Sequence, residues 1–306
     1  MDHIYDIIIL GGGPAGYTAA MYAGRAGLDT LMIEKLSVGG QMALTDKIDN
    51  YPGFPQGIDG FSLGQAMKEG ADLAGVPTEF AEITGAELTT PVKIIHTDSG
   101  DFKARSVIIA TGADHRRLGL PEEEALTSRG VHYCATCDAM FYRNKTVAVI
   151  GGGNTAVAAA GVLSRLSKKV ILIHRRDTLR AGKAEQEALM GKDNVELRWN
   201  SKPVKFLHDE KFRGLLVQDV KTGKEEEILC DGVFVSVGQK PNTELFEGQI
   251  SLVPGGYIDA GEDTKTSVPG VFAAGDVRSK PLRQIVTAAA DGAVAAQQAE
   301  IYLTAK

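Results

Sequence analysis

A chain of 306 residues exceeds what a single hydrophobic core usually serves, so two domains are expected. The formal charge of −6 argues against nucleic acid or an anionic membrane as the main partner, and 43% hydrophobic content is ample for packed cores. Three cysteines are too few for a secreted disulfide scaffold, whereas 36 glycines, clustered at turns, suggest backbone that approaches ligand phosphates.

The chain opens on Met1, Asp2 and His3 and turns at once into an apolar strand pattern. With no basic n-region, cleavage site or long apolar run there, a cytoplasmic protein without a membrane span is expected. Asp6 to Leu10 is a β-branched run with the look of a buried parallel strand, and Gly11, Gly12, Gly13, Pro14, Ala15 and Gly16 follow directly. A helix rich in small residues (Ala19, Ala20, Ala23) leads to a second strand, Thr30 to Ile33, which ends at Glu34 with Lys35 beside it. Strand, glycines, helix and acid together make the context a dinucleotide fingerprint needs. The glycines allow the tight turn, the approach of a pyrophosphate and close helix packing, and the acid meets the ribose hydroxyls. Val107 to Ala110, with Thr111 and Gly112, closes this unit.

Next comes the run Cys134, Ala135, Thr136, Cys137, Asp138. A CxxC alone could hold half a zinc site, cross-link a loop or carry redox chemistry. Zinc needs four ligands, and the one other cysteine, Cys230, has no histidine at ligand spacing, so no metal is expected and Cys230 reads as a small buried residue. A staple across so few residues would stabilise the fold by only about 2 kcal/mol on the chain-entropy model. Redox chemistry is the reading left with a reason behind it.

A shift of 140 residues without a gap lays Thr146 to Ile150 on the first strand and Gly151, Gly153 and Ala156 on Gly11, Gly13 and Gly16, with Asn154 and Thr155 opening the second helix. In that register Glu34 falls on His174, which is followed by Arg175, Arg176 and, further on, Arg180. An acid favours a free ribose diol, whereas arginines suit a 2′-phosphate through charge-assisted bonds. The first turn is therefore expected to take an unphosphorylated dinucleotide such as FAD, and the second NADPH.

Val233 to Gly238 echoes Val107 to Gly112, and Gly270 to Asp276 forms another strand running into a glycine turn. Asp276 would reach a ligand there, or else cap the helix that follows. Arg283, Gln284, Ile285 and an alanine-rich helix return the chain to the first domain. The expected fold is α/β, with two nucleotide-binding (Rossmann-like) three-layer domains, the second inserted in the first. Residues 1–114 and 244–306 would bind FAD, and 115–243 would bind NADPH and carry the CxxC.

The chain resembles the bacterial low-molecular-weight thioredoxin reductases essentially from end to end. The most specific matches are Gly39, Gly40, Gln41; Asn50, Tyr51, Pro52, Gly53, Phe54; Cys134 to Asp138; His174, Arg175, Arg176; and Gly275, Asp276 with Arg283, Gln284. The resemblance implies FAD, NADPH, a homodimer, rotation between domains and a thioredoxin-like protein substrate. It implies that Cys137 lies nearest the flavin, that Cys134 attacks thioredoxin and that Asp138 manages protons. It also assigns Gly40, Gln41, Asn50, Gln284 and Ile285 to the flavin side, with Thr45 and Asp46 lining it and Asp276 at the ribityl or phosphate region.

Three departures accompany the match. Ala139 stands where glycine is common, so the backbone there should avoid positive φ. Ala158 and Ala159 replace paired glutamates that lie near the nicotinamide in relatives. No histidine follows the CxxC as a thiol partner, and His132, the nearest, reads as structural. The competing readings are a ferredoxin-fed flavin disulfide reductase, for which Ala158 and Ala159 are the hint, and a flavin-dependent dithiol oxidase.

Overall fold

Continuous apolar runs decide where the central strands form. In the computed structural model, which describes residues 3–35, 38–45 and 47–305, Ile7 to Leu10 have no exposed surface, as strands covered on both faces require. They belong to β1 (Ile4–Leu10), followed by α1 (Pro14–Arg25), β2 (Thr30–Glu34), α2 (Gly60–Leu73), β3 (Thr78–Phe80), β4 (Ile83–Glu87), β5 (Lys93–Thr97) and β6 (Gly100–Ile109). The chain then passes through β7 (Ala113–His115), α3 (Glu123–Leu126), β8 (Val131–His132) and α4 (Ala135–Asp138). A second alternating stretch comprises β9 (Thr146–Ile150), α5 (Asn154–Leu163), β10 (Lys169–Ile173), α6 (Lys183–Met190) and β11 (Val195–Arg198). An antiparallel set follows, β12 (Ser201–His208), β13 (Phe212–Asp219) and β14 (Glu225–Leu229), then β15 (Gly232–Val235), β16 (Gln239–Pro241), β17 (Val271–Ala273) and α7 (Ile285–Thr304).

These elements form two compact units, residues 1–114 with 240–306, and residues 115–239. The chain crosses between them in β7 and β16, which pair with each other. The second break precedes the 243/244 position read from the sequence, for a visible reason. Asn242 donates its N–H to Gly112 O (3.0 Å), and its own carbonyl accepts from Thr111 Oγ1 (2.7 Å), so this segment is bonded into the first unit.

In the first unit the strand order is β3-β2-β1-β6-β5-β4, with β17 also on β6. The pairs among β3, β2, β1, β6 and β17 are parallel, and those among β6, β5 and β4 are antiparallel. One face is covered by α1 and α7, whose alanines (Ala15, Ala19, Ala20, Ala23; Ala288, Ala295, Ala296, Ala299) share a buried cluster. The helices approach so closely that a Cβ at Gly292 would lie 2.1 Å from Ala15 O. The other face packs under Phe246, Ile250 and Ile258.

In the second unit β11-β10-β9-β15-β8 is wholly parallel. The α5 helix covers one face, and the antiparallel β12-β13-β14 sheet contributes Phe206, Phe212, Leu215, Val217 and Ile228 to the other. Each unit thus places a glycine turn at the carboxyl end of its central strand, where open α/β sheets bind ligands.

Candidate active site and nucleotide cradles

The turn after β1 is built so that only small residues fit. Gly11 has φ +107°, and a Cβ there would lie 2.6 Å from Ala110 O; a Cβ on Gly16 would lie 1.9 Å from Gly11 O. Gly13 precedes α1 with no side-chain cap, Pro14 occupies the first turn, and open space lies where a Gly13 Cβ would point. The first-turn N–H groups of this 12-residue helix, including those of Ala15 and Gly16, suit an anion. Glu34, at the end of β2, accepts the N–H of Gly12 (2.5 Å), so its carboxylate is held at the turn.

Other expected residues arrive from distant parts of the chain. Gly39 donates to Gly12 O (2.9 Å), and a Cβ on Gly40 would lie 3.3 Å from Gly13 Cα, which brings the Gly39 to Gln41 turn onto the glycine turn. Thr111 abuts Gly11, and Gly275, at φ +79°, abuts Ala15. Gln41 bonds to Asp114, and Asn50 donates to Gln284 Oε1 (2.9 Å). Ile285 packs with Met42, Ile48, Leu63, Tyr51 and Phe54. A cleft of about 240 Å³ is lined by Gly11, Glu34, Lys35, Thr111 and Asn242 among others, with the Lys35 ammonium 2.6 Å from Glu82. Asp46 lies outside the described residues.

Asp276 sits in a short 3-10 turn, and the cap of α7 is Gln284, in a reciprocal capping box with Thr287. The capping role for Asp276 is therefore excluded. Its Oδ1 is buried without a hydrogen-bond partner among the described residues, and burial raises its pKa. A buried acceptor of this kind calls for a donor such as a ligand hydroxyl. Together with the glycine cradle, it fits a dinucleotide.

Sequence reasoning missed what holds this turn. Asp291, on the buried side of α7, accepts from Gly275 N (2.9 Å), Arg278 Nη2 (2.8 Å) and Lys280 Nζ (2.7 Å), and the Arg283 guanidinium donates to the main-chain carbonyls of Asp276 (3.5 Å) and Arg278 (3.3 Å). The signal was an acid inside an otherwise apolar alanine face. Arg283 also lies over the Tyr257 ring at 4.0 Å.

The turn after β9 repeats the first. Gly151 has φ +147°, with Ser236 O 2.3 Å from where its Cβ would be, and Gly153 precedes α5 with open space beside it. Ala156 is fully buried, and Thr155 is exposed at the helix start. The loop after β10 folds onto this turn: Arg180 donates its N–H to Gly152 O (2.7 Å), and Asn154 Oδ1 accepts from Gly182 N (3.2 Å). The His174 ring lies over Gly152, within 2.4 Å of where its Cβ would stand. It is 6% exposed, its Nε2 has no partner among the described residues, and burial followed by Arg180, Arg176 and Arg175 lowers its pKa. Those three arginines are exposed and, among the described residues, have no carboxylate partner, so their charge is free for an anionic ligand. Ala158 is exposed on α5, and Ala159 is buried.

Cys134 and Cys137 are joined by a disulfide, with Cα atoms 5.3 Å apart. Both are half-buried, and Cys134 Sγ accepts the N–H of Cys137 (3.2 Å), a contact that would favour a thiolate after reduction. Ala139 has φ −56°, as its side chain requires. Asp138 accepts from His132 Nδ1 (2.9 Å), an interaction that residue spacing did not disclose because it needs the turn after Cys137 to return to β8. Cys230 is buried, which pushes its thiol up to about 12.

A family model described as pyridine nucleotide-disulphide oxidoreductase matches residues 5–292. The chain is 45% identical to the thioredoxin reductase of Treponema pallidum (strain Nichols), covering 99% of this chain and 98% of that one. It is 43% identical to the thioredoxin reductase of Bacillus subtilis (strain 168), over 99% and 96% respectively. The crystal structure of thioredoxin reductase from Streptococcus pyogenes MGAS5005 superposes with a TM-score of 0.93 at 40% identity, covering all of both chains. This chain belongs to the pyridine nucleotide-disulphide oxidoreductase family.

Proposed function

We propose that the protein is a thioredoxin-disulfide reductase in which electrons pass from NADPH through FAD and the Cys134–Cys137 disulfide to thioredoxin. The observation that carries this reading is the disulfide itself, next to an acid, in a chain with two like glycine turns, one meeting Glu34 and the other His174 and exposed arginines. Full-length similarity to relatives bearing that name supports it. FAD, when bound, supplies a two-electron relay between nicotinamide and disulfide. Gly11 to Gly16 would hold its pyrophosphate, Glu34 its ribose and Asp276 a hydroxyl nearby. Gly151 to Ala156 would hold NADPH, with Arg175, Arg176 and Arg180 on the 2′-phosphate. A dithiol oxidase or ferredoxin-fed enzyme would have no use for those arginines.

Cys134 is assigned the attack on the protein substrate and Cys137 the flavin side, with Asp138 carrying the proton between sulfurs. Met140 and Phe141, both exposed just beyond the pair, offer apolar surface to a protein substrate. The reading extends to a cytoplasmic homodimer, which sedimentation of the holoenzyme checks. Among the described residues no helix is long and apolar enough to cross a membrane.

The test is Cys134→Ser. NADPH should still bleach the flavin, while thioredoxin turnover falls by roughly three orders of magnitude or more. Retained turnover would refute the assignment.

A further inference from the structure

His132 has no place in the mechanism above, yet it is 6% exposed and bonded on both ring nitrogens. Its Nδ1 lies 2.9 Å from Asp138 Oδ2 and its Nε2 lies 2.7 Å from Tyr142 Oη. The ring stacks on Phe234 of β15 at 5.2 Å, and Tyr142 packs edge-on against both rings. Burial and Asp138 raise the Tyr142 pKa, so the phenol keeps its proton and donates it to Nε2. Nδ1 then carries the imidazole hydrogen and donates to Asp138. The tautomer is thereby fixed from the interior of the unit.

We propose that His132 is a positioning residue for the redox pair: held by Tyr142 and Phe234, it aims and stabilises the Asp138 carboxylate that moves the proton during thiol–disulfide exchange. This rests on the reductase reading. In the exchange, Cys134 gives its proton to Asp138 as its sulfur attacks one substrate sulfur; the substrate S–S bond breaks, a mixed disulfide forms, and the leaving sulfur takes the proton back from Asp138. Cys137 then attacks the Cys134 sulfur, restores the enzyme disulfide and releases the second substrate sulfur, which takes the proton Cys137 gave up. Two electrons and two protons leave the enzyme dithiol and arrive on the substrate, and His132 neither gains nor loses one.

A carboxylate that swung freely toward water would serve this shuttle poorly, and Asp138 is only 16% exposed. The titratable groups around the network are Asp138 and Tyr142 themselves, Cys230 and Asp231, which act on Tyr142, and Lys145, whose Nζ lies 5.4 Å from the Tyr142 ring centre. None of the last three bonds to His132 among the described residues.

The experiment follows iodoacetamide alkylation of Cys134, located by mass spectrometry, in dithiothreitol-reduced holoenzyme across a pH series. His132→Leu removes the donor to Asp138, and a carboxylate whose charge is no longer met by that donor opposes a nearby thiolate more. Its curve should move to higher pH by about half a unit or more, which is about threefold slower alkylation at neutral pH. His132→Gln, which can still donate to Asp138 and accept from Tyr142, should follow the wild-type curve, and Tyr142→Phe should shift as His132→Leu does but less. A wild-type curve for His132→Leu, or equal shifts for His132→Leu and His132→Gln, would overturn the proposal. Thermal midpoint and flavin content, measured on the same samples, show whether a variant is folded; should His132→Leu fail to fold, Tyr142→Phe decides, a wild-type curve again overturning the proposal. Thioredoxin turnover by the wild-type enzyme is scored separately, so that a failure of the reductase reading is told apart from a failure of this one.

Discussion

The turns after β1 and β9 reach one backbone solution and part company in the side chains set around it. At Gly11 and Gly151 φ is positive, and each glycine donates its N–H to the end of the neighbouring strand, to Ile33 O (2.9 Å) and Ile173 O (3.1 Å). Gly13 and Gly153 both stand extended at an uncapped helix start with open space beside them. Where the first unit then has Glu34 on the Gly12 N–H, the second has the His174 ring over Gly152 with exposed arginines behind it. On the proposed reading the backbone would set where phosphates go, and the side chains at the end of the second strand would set which ribose is accepted. A second contrast lies in the helix: Gly16 has no room for a methyl group, whereas Ala156 carries one.

The largest effect should come from erasing that second contrast. Gly16→Ala puts a methyl against backbone, an overpacking of about 3 kcal/mol or more, and flavin retained through gel filtration should be largely lost. The mirror change, Ala156→Gly, costs only about 1 kcal/mol of helix stability and should leave flavin content alone. Flavin retained by Gly16→Ala would mean that the first turn is less constrained than its twin.

Next in size is the ribose contrast. Each of Arg175→Gln and Arg176→Gln should weaken NADPH about tenfold or more, the range of a lost charge-assisted bond, with little change for NADH. Titration with both nucleotides checks this, and equal losses would show that the arginines do not read the 2′-phosphate.

Smallest is the effect of pH through His174. Burial and the arginines hold its folded pKa below the ordinary value, so the unfolded chain takes up a proton first as pH falls. Stability that is present above about pH 6.5 should be lost as pH falls through the folded value. His174→Gln should flatten that loss, read as the urea midpoint at neutral and mildly acidic pH. An unchanged slope would assign it to other groups.

Much of this was legible in the sequence because glycine spacing and β-branched runs report backbone directly. The offset between Gly11 and Gly151 survived intact, and so did the strands leading into them. What stayed hidden depends on side chains brought together by the path of the backbone: the Asp291 cluster beneath Gly275, the Asn50 to Gln284 bond and, over only six residues, the His132 pairing with Asp138. None follows from periodicity, since each needs a turn or loop whose path the residue pattern does not give. The break near residue 240 was likewise set by hydrogen bonds of Asn242 that composition does not encode.

The split of the first unit around the second bears on how the chain is made. Ribosomal synthesis delivers β1 to β6 long before β17 can join β6 or α7 can cover α1. The inserted unit is contiguous, so it can close while its host still shows the alanine face of α1 to solvent. Gly292 and Asp291 follow the whole inserted unit in the chain, yet they lock α7 against Ala15 and brace the turn at Gly275. The inner unit can therefore close before its host, whereas the cradle around Gly11 has to wait for α7.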